Sequence, residues 1–161
     1  MNTRAFYFCI ALFCFALLGG AYYLQHVEKQ FPCPFCILQR YAYLAIGLVS
    51  LIAVGHGPRL AGWGRRIYAA LITLFGVSGV VLAVWQVLKA SKDASCGADA
   101  VAEFVNGLPP AGWYSEYFFA NGGCSDVWPP ILGISLVVWS IICFSVLSII
   151  GVVALKSALQ K

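Results

Sequence analysis

Long unbroken apolar runs, rather than strict alternation, dominate the pattern of this chain. Four of them cover residues 5–24, 37–55, 67–88 and 131–155. Each has about the 20 residues that a helix needs to cross a hydrocarbon layer roughly 30 Å thick, at about 1.5 Å rise per residue. Arg40 is the one charged side chain that interrupts them. In lipid every backbone N–H and C=O must be satisfied internally, and barrel-type alternation is absent, so the runs predict helices. The expected fold is an all-α membrane protein, a single four-transmembrane-helix bundle over residues 1–161. The connections expected are residues 25–36, 56–66 and a long loop, 89–130, between helices 3 and 4.

The first run also has the outline of a secretory signal, with Arg4 ahead of it and Gly19-Gly20-Ala21 near its end. It is longer than a usual signal core, and Tyr22-Tyr23 suit a membrane interface, so the run is expected to stay as a span. Composition agrees with membrane residence. Hydrophobic residues make up 61% of the chain and charged residues 10%, against about 45–50% and about 25% in soluble domains. One side carries Arg4, Arg59, Arg65, Arg66, Lys156 and Lys161, and the other Lys29, Lys89 and Lys92, which places both termini in the cytoplasm. The formal charge of +4 thus reflects topology, and no nucleic-acid partner is expected.

The long loop holds an aromatic group, Trp113, Tyr114, Tyr117, Phe118 and Phe119, between Pro109-Pro110 and Gly122-Gly123. Such rings are expected at the headgroup level, anchoring the loop and limiting the movement of Cys124. Cys33, Cys36, Cys96 and Cys124 fall on the outer side, whereas Cys9, Cys14 and Cys143 lie within spans and behave as small hydrophobes with no assigned role. Four outer cysteines allow three pairings, and proximity favours Cys33–Cys36, leaving Cys96–Cys124. Closing that loop could contribute about 3–4 kcal/mol as a structural brace. Beside a CxxC, an exchanging redox pair is the stronger reading. A zinc site is not expected, because Cys96 and Cys124 form no second CxxC and His26 lacks a partner histidine.

Cys33-Pro34-Phe35-Cys36 lies at the mouth of the second run. Pro34 suits the first turn of a helix, where its missing N–H has no intrahelical partner. Cys36 then sits where unsatisfied N–H groups and the macrodipole favour an anion. Arg40 follows one turn deeper on the same face. It can snorkel to headgroups, or it can hold an oxygen of a lipid-soluble acceptor. Gln39, Trp85 and Gln86 fall at the same depth.

Taken together, the four spans, the C-P-F-C, Arg40, and Cys96 with Cys124 resemble the DsbB family, the disulfide bond formation proteins B of bacterial inner membranes. The resemblance covers essentially the whole chain. It implies a disulfide-generating oxidoreductase, multi-pass in the inner (cytoplasmic) membrane with its active cysteines periplasmic. Its partners would be a periplasmic DsbA-like thioredoxin-fold protein and the membrane quinone pool, as in the DsbA–DsbB–quinone system that keeps the periplasm oxidising. Cys33 and Cys36 would match the quinone-linked pair, with Cys36 beside the quinone and Arg40 binding it. The quinone would be ubiquinone, with menaquinone the other candidate. Cys96 and Cys124 would match the pair that oxidises DsbA, with Cys96 forming the mixed disulfide. Two other readings are a related thiol oxidase serving another soluble partner and a structural four-span protein whose disulfides brace its loops. Catalytic, quinone-dependent turnover separates the structural reading from the other two, and the identity of the soluble dithiol separates those from each other.

Overall fold

The computed structural model describes residues 3–29, 31–56, 62–90, 98–122 and 132–160. Four long helices carry the apolar runs: α1 (Thr3–His26), α2 (Pro34–His56), α3 (Gly62–Ala90) and α7 (Leu136–Leu159). All four are long and apolar enough to span a membrane. Their outward faces expose Leu12, Leu48, Ile52, Leu74, Val81, Ile149 and Val153. A continuous apolar surface of this kind is stable in lipid and not in water. The protein is an all-α four-helix membrane protein.

Local chemistry sets the helix starts. Pro34 is the first residue of α2, as its locked φ favours. Cys33 acts as the N-cap. Its sulfur accepts from the Cys36 N–H at 3.3 Å, and its carbonyl takes the first helical bond from Ile37 at 3.1 Å. The fourth apolar run becomes helical only at Leu136, later than its hydropathy suggested. Leu132 and Gly133 have positive φ (55° and 78°), which no helix continues, and the Ser135 hydroxyl accepts from Val138 N–H as the cap. At the other extreme α3 has 29 residues, about 43 Å at helical rise. It therefore extends past the apolar run at its Arg65–Arg66 end, where Arg66 Nε donates to the Ala158 carbonyl of α7 at 3.1 Å.

Packing runs α1 on α2, α2 on α3, and α3 most extensively on α7. Glycines bring α3 and α7 close. A Cβ at Gly79 would collide with the Phe144 ring, and one at Gly76 or Gly151 would crowd Ser148 or Thr73. Phe144 is fully buried, stacked on Tyr43 of α2 with ring centroids 3.9 Å apart. By contrast α1 and α7 make no substantial contact, which leaves a seam between them.

The long connection, expected to be a loop anchored by its aromatics, is folded over much of its described length. It forms α4 (Ala98–Asn106), α5 (Pro109–Trp113) and α6 (Ser115–Phe118). This cap sits on the start of α2, with Val105 packed against Ile37 and Ala120 and with Phe118 stacked on Tyr41 at 5.0 Å. The Asn106 amide clasps Ala120 at both ends, accepting from its N–H (2.8 Å) and donating to its C=O (3.2 Å). Gly122 N–H donates to the Pro32 carbonyl at 3.1 Å, an approach that a Cβ at Gly122 would block. Cys96 and Cys124 both lie outside the described residues.

Candidate active site

Four residues of α2, namely Cys36, Gln39, Arg40 and Tyr43, follow the i, i+3, i+4, i+7 spacing of one helical face. That face lines a cavity of about 360 Å³. Ala16, Leu17, Gly20 and Ala21 of α1 form one wall, and Leu136, Trp139, Ser140 and Cys143 of α7 the other. The cavity is thus the upper part of the α1–α7 seam, and the small residues of α1 leave room for it. Its walls are mainly apolar, and its polar groups gather at the Cys36 end, with Gln25 and Gln86 joining those of α2. A cavity of about 400 Å³ at the opposite end of the bundle is lined by Phe6, Tyr7, Arg65 and Ile149 among others. It holds no cysteine, so volume alone does not mark the reactive site.

The Cys33 and Cys36 sulfurs lie 2.8 Å apart. A disulfide needs about 2.05 Å, so less than about 1 Å of movement separates the two states. Their surroundings differ. Cys36 is part of the cavity wall. Cys33 is 3% exposed and belongs to a cluster with Phe35, Leu82 and Val101, where Val101 comes from cap helix α4. Of the two, only Cys36 lines the cavity, and both belong to the cluster that Val101 of the cap joins.

Arg40 does not snorkel. Its guanidinium is buried, donating through Nη1 to Gln25 Oε1 (2.7 Å) and to the Tyr117 carbonyl (2.6 Å). The guanidinium carbon also lies 4.4 Å from the centre of the Tyr117 ring, a cation–π arrangement. Tyr117 in turn donates its hydroxyl to the Leu18 carbonyl of α1 at 2.8 Å. Burial raises the Tyr117 phenol above its ordinary range, and the neighbouring Arg40 charge opposes that shift. Gln25 reaches the Glu116 carbonyl, and His26 pairs with Glu116 at 3.6 Å. One cation thus joins α1, α2 and the cap.

These contacts change the reading of the aromatic group. Trp113, Tyr114 and Phe119 remain exposed, as an interfacial anchor requires, whereas Tyr117 is buried beneath Arg40. Of the three residues placed at the dithiol's depth, Gln39 and Gln86 are buried beside it, and Trp85 points away, 53% exposed. Gln39 Nε2 donates to Gln86 Oε1 at 2.8 Å, and Gln86 Nε2 lies 3.2 Å from Cys33 Sγ and 3.5 Å from Cys36 Sγ. Sequence reasoning missed Gln25 and Tyr117. A glutamine at the end of an apolar run is a weak sign that a polar partner waits nearby. Nothing local marks Tyr117, which lies 77 residues from Arg40.

Comparison with known proteins agrees with this arrangement. Residues 3–154 match the family described as disulfide bond formation protein DsbB. A disulfide bond formation protein B from Ralstonia nicotianae is 41% identical over 155 residues, covering 96% of this chain and 94% of that protein. Its counterpart in Cupriavidus metallidurans is 40% identical over 149 residues, 92% of this chain and 89% of that protein. In Burkholderia lata, disulfide bond formation protein B 1 is 41% identical over 143 residues, 88% and 81% of the two chains. With a match that runs from the first long helix into the last and takes in Cys33 and Cys36 between them, this four-helix membrane protein belongs to the DsbB family.

Proposed function

We propose that the protein is a thiol:quinone oxidoreductase that reoxidises a periplasmic DsbA-like dithiol protein and so supports disulfide bond formation. The observation that carries this reading is the shared wall of one apolar cavity. Cys36 and Arg40 both face it, and the Cys33 sulfur lies 2.8 Å from that of Cys36 without lining the cavity. The bias of basic residues supports cytoplasmic termini and a cysteine end at the periplasmic side of the bacterial inner membrane.

The residues fit a quinone. Apolar walls suit its ring and tail, the Arg40 guanidinium would hold a carbonyl oxygen, and the seam admits a ligand from the lipid. A bound quinone supplies a sink for two electrons and two protons. The chain's own groups provide the path to it. A thiolate of the reduced partner attacks Cys96 of a Cys96–Cys124 disulfide, forming a mixed disulfide and releasing Cys124 as a thiolate. The partner's second thiolate displaces Cys96, which leaves the partner oxidised and both loop cysteines reduced. These then exchange with the Cys33–Cys36 disulfide. Attack at Cys33, the sulfur that does not line the cavity, frees Cys36 as a thiolate on the cavity wall. Arg40 keeps a fixed positive charge on that wall, where it favours negative charge in a site shielded from water. Gly122, two residues before Cys124, is bonded to Pro32, the residue before Cys33, and this supports exchange between the two pairs.

The test is quinone reduction by purified protein in detergent, with a reduced DsbA-like protein or other soluble dithiols as donors. The parent should turn over catalytically with ubiquinone or menaquinone. Cys33→Ala and Cys36→Ala should each abolish turnover. Quinone reduction that persists in a Cys33/Cys36 double variant would overturn the assignment, and slow stoichiometric reduction without quinone dependence would leave only a structural role.

A further inference from the structure

Two buried amides behind the dithiol play no part in the relay just described. Gln39 of α2 is 5% exposed and Gln86 of α3 is 4% exposed. A carboxamide has a donor end and an acceptor end, and burial makes it costly to leave either unpaired. The Gln39 amide donates to Gln86 Oε1, which occupies the acceptor end of Gln86. The donor end, with its two hydrogens, then faces the two sulfurs of Cys33 and Cys36. A neutral thiol is a weak acceptor, whereas a thiolate accepts only and accepts strongly. The arrangement is therefore strongest when charge resides on either sulfur. The amide does not titrate, so it neither takes the thiol proton nor reverses with pH.

We propose that Gln86 is a catalytic residue that stabilises thiolate charge on Cys33 and Cys36, and that Gln39 is the positioning residue that turns the donor end of Gln86 toward them. The bland account is polar adhesion between neighbouring helices, which is common in membranes. Adhesion explains the Gln39–Gln86 bond. It leaves unexplained why the remaining nitrogen of that pair meets both reactive sulfurs instead of a backbone carbonyl. The inference rests on the redox reading of the Cys33–Cys36 pair, since it is in thiol–disulfide exchange that thiolate charge on those sulfurs serves a reaction.

The experiment measures alkylation of the reduced protein by iodoacetamide across a pH series, with neither quinone nor soluble partner present. Tandem mass spectrometry assigns the modified cysteine. Gln86→Met keeps length and loses the donor. It should slow Cys36 alkylation at pH 7 by about tenfold or more, equivalent to about 1.4 kcal/mol, with the difference closing at high pH where both proteins are fully ionised. Gln86→Glu, acceptor-only and anionic, should slow it further. Gln39→Leu should give a smaller loss of about two- to fivefold, because Gln86 remains. Thermal unfolding is recorded in parallel. If Gln86→Met and Gln86→Glu alkylate with the parent's rate and pH profile, whatever their melting temperatures, Gln86 is only interhelical adhesion and the proposal is wrong. A parent that reduces no quinone, with variants that lose thiol reactivity in this order, would overturn the proposed function and uphold the effect of Gln86 on the thiolates.

Discussion

Replacing Arg40 with Leu removes one side chain and three contacts at once. The Tyr117 carbonyl and Gln25 Oε1 lose their donor, and the Tyr117 ring loses the cation stacked on it. Leaving the buried carbonyl unpaired costs about 1–3 kcal/mol. The cation–π contact adds about 0.5–2 kcal/mol in a desolvated site. The Tyr117 hydroxyl bond to Leu18 survives, so the cap keeps one of its pins. Together the losses weaken docking of α6 by about 1.5–5 kcal/mol, a factor of about 10 to several thousand in the local opening equilibrium. Hydrogen exchange reads this directly. The amides of Tyr117, Phe118 and Phe119, bonded within α6, should exchange faster by that factor, and amides in the middle of α3 should not change. Tyr117→Phe, which deletes only the hydroxyl bond, should accelerate the same amides by about tenfold, since a net hydrogen bond is worth about 0.5–1.5 kcal/mol. Quinone dependence gives the second readout, a raised KM for quinone in Arg40→Leu and a nearly unchanged one in Tyr117→Phe. Unchanged exchange over residues 115–119 in Arg40→Leu would refute the claim that this cation pins the cap.

Gly122→Val should prise the cap from the Phe31–Pro32 segment, because its side chain would overlap the Phe31 carbonyl. The check is faster exchange of residue 122 together with a several-fold slower transfer from soluble dithiol to Cys33–Cys36. Asn106→Ala removes both halves of the clasp on Ala120 and should destabilise the cap by about 1–3 kcal/mol, read as faster exchange at the Ala120 amide. Gly79→Leu should lower the melting temperature sharply, since overpacking at Phe144 typically costs about 1–3 kcal/mol or more. Gly19→Ala, with open space around it, should leave stability unchanged or raise it slightly.

The length of the continuous apolar runs located all four long helices, because a spanning helix is written in consecutive residues and lipid enforces it. Pro34 likewise announced the start of α2, since its effect on the backbone is local. The Cys36–Arg40 register was legible for the same reason, being a property of one helix. The cap was not. Its helices are short, and its stability comes from side chains that meet across 14 to 99 residues of chain, as in Asn106 with Ala120 or Tyr117 with Leu18. Read locally, Tyr117 is one more interfacial aromatic among five. Only the folded chain reveals that it covers a cation while its neighbours Trp113 and Tyr114 stay exposed. The same holds for Gln86, whose neighbour Trp85 was equally plausible by depth until the helix faces were known.

Among the long helices α1 leans substantially on α2 alone, and the seam it leaves toward α7 runs along the wall that Cys36 occupies. On the proposed function, traffic to the dithiol would divide by phase. A lipid-dissolved oxidant would come sideways through the bilayer plane, while a water-borne dithiol protein would meet the capped end. Neither route crosses the other, so the two substrates should not exclude each other as competitive inhibitors. Occupancy of the seam is then governed by the oxidant's mole fraction in the membrane, and the same enzyme in a bilayer richer in quinone would run faster at an unchanged concentration of soluble partner.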